Sequence, residues 1–227
     1  MTIAPAPNIP DVFTLLNKKP HTGDVYIVGA GPKGLGGIKR IPDDAVTIAL
    51  NSAILYDRIF TYWLAFDCAI RNYPWWSNII IHENTRNVFG HSLVTEMWGT
   101  DVHTHGRIVP HYRFLFRPTL SPQFQVEKRT NRGRCSALLP GVLRGGASIA
   151  GASFQFAVFA GCKRIVLCGV DMFSNTHFDG FVNRGMRPNA EWPICLKLNW
   201  LVESFRQFQR VDVVSLTPTN IKNVKVI

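Results

Sequence analysis

Between Val25 and Ser52 the chain runs Val-Tyr-Ile-Val-Gly-Ala-Gly-Pro-Lys-Gly-Leu, passes a basic spacer, and resumes as Val46-Thr-Ile-Ala-Leu-Asn51-Ser52. A short β-branched run that stops on closely spaced glycines reads as a buried strand with a sharp turn at its carboxyl end. In an open α/β sheet, ligands bind beyond the carboxyl ends of parallel strands, where glycines let a phosphate approach the backbone. The segment therefore predicts a parallel sheet with a nucleotide pocket at its strand tips. The spacing Gly29-x-Gly31-x-x-Gly34 also suits a dinucleotide fold, and a plain tight turn. Asn51-Ser52 argues against the dinucleotide, because an acid is expected there to hold a nicotinamide ribose.

The same rhythm continues along the chain. Residues 1–22 contain four prolines and read as an arm with a helical turn at Val12 to Asn17; 23–227 read as one α/β domain. Tyr62 to Phe66 is a third apolar run, ending in Asp67, and Ile79 to Ile81 a fourth, ending in His82-Glu83-Asn84. Gly145 to Gly161 reads as a glycine-rich turn feeding a buried helix, and Cys162 to Asp171 as a strand with an acidic end. Leu196 to Gln209 is an amphipathic helix, Val211 to Leu216 a strand, and Thr217-Pro-Thr-Asn220 its polar terminus. Residues 87–140 lack clear periodicity yet hold Phe89, Trp98, Tyr112, Phe114, Phe116 and Phe124, so they read as an irregular lid or acceptor-binding insertion.

Charge gives the second constraint. Lysine and arginine total 25 against 15 acids, a formal net charge of +10. From Arg107 to Arg144 lie Arg113, Arg117, Lys128, Arg129, Arg132 and Arg134, with Glu127 the only acid. Such an asymmetric field attracts anionic partners, nucleic acid among them. No apolar run is long enough to span a bilayer and no signal peptide is recognisable, which predicts a soluble, cytoplasmic protein. The five cysteines contain no Cys-x-x-Cys pair, against zinc ribbons and disulfide frameworks. Asp101-x-His103-x-His105, with His111 nearby, offers ligand-type side chains, although clusters of this kind are more often polar loop residues than a metal site.

The order of these blocks resembles that of the bacterial sialyltransferases that use a cytidine-monophosphate sugar, and of the MptE-like 6-hydroxymethylpterin diphosphokinases. The matching stretches are Ile27-Val-Gly-Ala-Gly-Pro-Lys33, the helix and strand from Ser148 through Gly161-Cys-Lys-Arg-Ile-Val-Leu-Cys-Gly-Val-Asp171-Met-Phe173, and Val213-Val-Ser-Leu-Thr-Pro218-Thr-Asn. The resemblance implies a doubly wound, mostly parallel, Rossmann-like sheet of the sialyltransferase-type GT-A variety. It implies that Gly29, Gly31, Pro32 and Lys33 border the donor phosphate, with Asn51 and Ser52 beside phosphate and sugar. Asp67 would meet ribose hydroxyls, Ser148 would bind phosphate at a helix N-terminus, and Asp171 would border base or ribose. Phe173 stands where those enzymes carry a tyrosine, and no histidine lies near Glu191-Trp-Pro193, so His177, Asp179 and Glu191 become the candidates for general base.

These features lead to a glycosyltransferase-like enzyme that moves a sugar from a nucleotide-activated donor to a hydroxyl of an anionic acceptor. That acceptor is expected to be an acidic glycan or a hydroxyl-modified nucleic acid. No Asp-x-Asp motif is present, which suits a metal-free reaction. The alternatives are a pterin-alcohol diphosphokinase, which would need Mg²⁺, and a nucleic-acid-binding protein without catalysis.

Overall fold

The computed structural model describes residues 21–65, 70, 73–76, 79–90, 103–104, 107–108, 111–117, 142–144, 148–182 and 193–227. In chain order these form β1 (Asp24–Val28), α1 (Gly34–Ile38), β2 (Val46–Leu50), a 3-10 turn (Asn51–Leu55), β3 (Tyr62–Ala65) and β4 (Arg86–Gly90). The two-residue strands β5 (His103–Thr104) and β6 (Arg107–Ile108) precede β7 (His111–Arg117), β8 (Val142–Arg144), α2 (Ile149–Phe159) and β9 (Arg164–Cys168). Last come α3 (Pro193–Ser204), a π-helical turn (Phe205–Gln209), β10 (Asp212–Ser215) and β11 (Lys225–Val226).

The protein is α/β. Nine of these strands form one sheet in the order β11-β10-β9-β1-β2-β3-β4-β7-β8, and every neighbouring pair runs parallel. Alternate side chains of a strand face opposite sides of a sheet, and both sides are buried here. Val25, Ile27, Ile48, Leu50, Leu64, Ile165, Leu167 and Val213 pack beneath α2 and α3. Val28, Ala49, Trp63, Ala65, Val166, Cys168 and Val214 pack on the other side against Ile41, Ile54, Tyr56 and Phe60. Burial on both faces explains why β1, β2 and β9 are nearly continuous apolar runs rather than alternating ones. α2 is buried from Ala150 to Ala157, as a helix apolar on all sides must be. Among the described residues no helix is long and apolar enough to cross a membrane.

Two expectations need correction. Ile79 to Ile81 is not a strand: Ile80 is exposed, and the His82-Glu83-Asn84 turn that follows, closed by Thr85 N donating to His82 O at 2.9 Å, introduces a strand instead of ending one. The fourth strand is Arg86–Gly90, which pairs with β3 from Arg86 onward. Secondly, the stretch 87–140 is not wholly irregular, because β4 and β7 within it extend the main sheet. Tyr112, Phe114 and Phe116 recur at every second position, a strand period obscured because the residues between them are unlike, Arg113 and Leu115. Of the expected arm, residues 1–20 lie outside the described residues.

The sheet order reverses beside β1: the chain proceeds outward through β2, β3 and β4, then returns through α2 to place β9 on the opposite flank of β1. The tips of β1 and β9 approach so closely that side chains are excluded. A Cβ on Gly29 would stand 2.6 Å from Gly169 O, and one on Gly31 would stand 2.6 Å from both Gly169 O and Asp171 Oδ2. Gly169 adopts φ +65° and a Cβ there would meet Gly29 O at 2.6 Å. The left-handed backbone alone costs a non-glycine residue about 1–2 kcal/mol, and the clash adds to it. Gly169→Ala is therefore expected to lower unfolding free energy by at least about 2 kcal/mol in urea titrations; an unchanged midpoint would show that the tips do not meet as described.

Candidate functional site

The nine strands of the main sheet being parallel, their carboxyl tips lie on one edge of it. α2 starts on that edge as well, since it connects the end of β8 to the start of β9 while packing over β1, β2 and β3. Topology thus brings the Gly29 turn, the Asn51 tip, Ser148 and Asp171 to a common edge.

The Gly29 turn is knitted to β9. Gly29 N donates to Cys168 O at 2.8 Å, Gly31 N to Gly169 O at 2.8 Å, and Gly34 N to Gly31 O at 2.9 Å. Gly31 O accepts from the Tyr56 hydroxyl at 3.3 Å, and Ala30 O from Phe178 N at 2.9 Å. The amides of Gly29 and Gly31 are therefore committed to protein carbonyls. Pro32 has no N–H to offer, and Lys33, exposed at the start of α1, makes no side-chain cap. Ser148 caps α2: its hydroxyl accepts from Ala150 N at 3.1 Å. That bond satisfies one of the donors a helix start leaves unpaired.

Asp171 is 4% exposed, and its Oδ2 is buried without a hydrogen-bond partner among the described residues. Backbone amides of Met172, Phe173 and Ser174 favour its charged form, but burial outweighs them and pushes the carboxyl from its ordinary 3.8 up to about 6. The loop that carries it is braced by the β10 terminus. Gly169 N donates to Thr217 Oγ1 at 2.9 Å, the Thr219 hydroxyl to Val170 O at 2.7 Å, and Asn220 N to Asp171 O at 2.8 Å. Across β1, Asn51 Oδ1 is likewise buried and has no partner among the described residues, while the Asn51 carbonyl accepts from the Trp63 indole at 2.9 Å. Asn51 and Met172 both take left-handed backbone, at φ +49° and +57°. Strain of this kind persists where surroundings impose it, and it gathers at ligand sites.

His177 stands next to the β2 tip, its Nδ1 3.4 Å from Ser52 Oγ. Burial holds the imidazole below its usual pKa, against an opposing effect of Asp179, so it is neutral near pH 7. The segment is pinned by Phe178, which stacks on Tyr56 with centroids 3.9 Å apart. Asp179 is exposed and its Oδ1 accepts from Phe181 N at 3.1 Å, closing a local turn. Glu191 and Asp67 lie outside the described residues, as do Asp101 and His105. No group of three or more metal-type ligands occurs among the described residues.

Tyr56 sits in no motif, and Thr217, although part of the terminal Val213–Asn220 block, has no site role legible in the sequence; only folding places them against Gly31 and Gly169. Comparisons with protein-family models, with curated proteins and with solved structures found no match.

Burial makes the folded protein retain a proton on Asp171 that the unfolded chain releases at lower pH. Such a group is neutral to stability below about pH 4, becomes unfavourable as pH climbs towards 6, and stays so above it. Asp171→Asn is expected to gain stability relative to the parent across that window, reaching on the order of 2 kcal/mol at pH 7. A parent-minus-variant difference that is flat with pH in chemical denaturation would show that the carboxyl is not held as described.

Proposed function

We propose that this protein is a transferase that uses a nucleotide-activated sugar, with the donor lying across the tips of β2, β1 and β9. In this reading the sheet is the doubly wound, Rossmann-like kind, whose ligands sit where strand order reverses. The observation that carries the proposal is the pair of buried oxygens, Asp171 Oδ2 and Asn51 Oδ1, left without donors on either side of that reversal. Buried acceptors without a partner cost free energy and call for an explanation. Two strand spacings separate their strands, about 10 Å, a distance one nucleotide can bridge. Acceptors of this type suit ribose hydroxyls or an exocyclic amine, not phosphate. Phosphate falls instead to the α2 N-terminus and to Lys33, because the Gly29 and Gly31 amides are engaged elsewhere.

His177 is the best-supported general base. It is neutral at working pH, oriented through Ser52, and on the same edge as the two acceptors. The imidazole takes the proton of the acceptor hydroxyl as that oxygen bonds to the anomeric carbon; the bond from that carbon to phosphate oxygen breaks, and the nucleotide leaves with the electron pair. Asp179, turned into its own loop, is less suited to the role. The net charge of +10 favours an anionic acceptor, and Arg107, Arg113, Arg117 and Arg144 sit on strands β6 to β8.

A thermal-shift screen with CMP, UDP, GDP and ATP is expected to find at least one stabilising nucleotide. Asn51→Ala and Asp171→Ala should each reduce that shift severely, and the activity should persist in EDTA. A shift that survives both substitutions would remove the pocket, while activity that requires Mg²⁺ would favour diphosphate transfer to a pterin alcohol.

A further inference from the structure

A second set of unsatisfied groups lies on the opposite side of Trp63. Asn87 on β4 is the register partner of Trp63 on β3. It is 0% exposed, and neither Oδ1 nor Nδ2 has a hydrogen-bond partner among the described residues. Its neighbour Val88 belongs to the core beneath α2 and α3, so Asn87 faces the other side, with Trp63. The Trp75 indole N–H is also buried and unpartnered. Between them the rings are continuous: Trp63 meets Trp76 at 5.8 Å and Trp76 meets Trp75 at 5.9 Å. From Trp75 the contacts pass to Tyr73 at 5.9 Å, on to Phe181 at 4.5 Å, and so to His177 at 5.2 Å. Tyr73, Trp75, Trp76 and Phe181 all remain partly exposed.

Burying an amide without hydrogen bonds costs roughly 1–3 kcal/mol, and here an indole donor joins it. A ligand rich in groups that both donate and accept matches the chemistry of these atoms. The rings themselves narrow its shape. Tyr73–Phe181, His177–Phe181, Trp75–Trp76 and Tyr73–Trp75 meet at 36°, 54°, 56° and 60°, so none of these touching pairs presents a flat, coplanar surface to a base. A pyranose can lay its C–H face on one ring and turn hydroxyls, each a donor and an acceptor, towards amide and indole.

We infer that the Tyr73–Trp75–Trp76–Phe181 wall, which carries the Trp75 N–H and connects through Trp76 and Trp63 to Asn87, is a subsite for an uncharged sugar ring of the acceptor. Its role as acceptor subsite rests on the transferase reading; its binding of sugar does not. The subsite positions a hydroxyl of the bound glycan towards His177, and it separates recognition of the neutral ring from attraction of the acceptor's charge.

The test is ligand-observed NMR on the full chain, without nucleotide, using lactose, maltotriose and N,N′-diacetylchitobiose as probes and oligothymidylate as the contrasting one. At least one saccharide should bind saturably. Trp75→Phe, which keeps the ring and removes the donor, and Asn87→Val should each weaken that binding about tenfold. Asn87→Val should also raise the melting temperature, since it removes an unpaired buried amide, and nucleotide thermal shifts should be retained in both variants. The inference is overturned if no saccharide binds, if the two variants bind as the parent does, if Asn87→Val lowers the melting temperature, or if oligothymidylate binds with the same Trp75 dependence. Sugar binding without any nucleotide shift would instead reject the transferase reading and leave the subsite standing.

Discussion

The close approach of β1 and β9 governs the rest of this molecule. Two backbone segments meet tip to tip with room for no Cβ, and the amides of Gly29 and Gly31 are spent in holding them together. Because these two strands are also where the sheet changes direction, the same contact draws Asp171 against Gly31. The glycines, which in sequence resemble a phosphate cradle, work first as a hinge-free joint between the halves of the sheet. Phosphate recognition on this edge is then left to other groups.

Burial produced by that joint also sets the chemistry. Asp171 is drawn under the Gly31 turn and braced by Thr217, Thr219 and Asn220, so one carboxylate oxygen is left without a donor and its acidity falls. His177, packed against Phe181 and Ser52, is desolvated too and moves the other way, losing its proton more readily than a free imidazole. Desolvation disfavours charge on both, a carboxylate in one and an imidazolium in the other. Two titratable groups on one edge are thus driven towards neutrality by the same cause.

Local pattern was a good guide where burial is two-sided and continuous. Val25 to Val28, Val46 to Leu50 and the core of Cys162 to Asp171 are strands, because an apolar β-branched run ending on glycine or a polar residue has few other outcomes. It was a poor guide where polar residues interrupt the period. Ile79 to Ile81 satisfied the apolar criterion and forms no strand, whereas Arg86–Gly90 and His111–Arg117 carry arginine and asparagine and do. Asn87 shows why: a polar side chain sits fully buried on a strand inside the sheet, contrary to any rule that reads core from hydrophobicity. Asn51, Ser52, His177 and Asp171 could be singled out from their places at strand ends, yet nothing in the sequence joins Tyr56 to Gly31 or Trp63 to Asn51.

The amino-acid order by itself determined a parallel α/β sheet, a first strand that must turn on glycine, an excess of positive charge, and polar residues waiting at strand tips. These follow from short-range sterics, from the period of side chains along a strand, and from simple charge counting. Only the tertiary structure decided which tips are neighbours, that the glycine amides are already bonded, and that Asp171, Asn51, Asn87 and Trp75 hold buried polar atoms without partners. Whether a buried polar atom has a partner depends on residues far away in the chain, and strand order, not sequence distance, sets who they are.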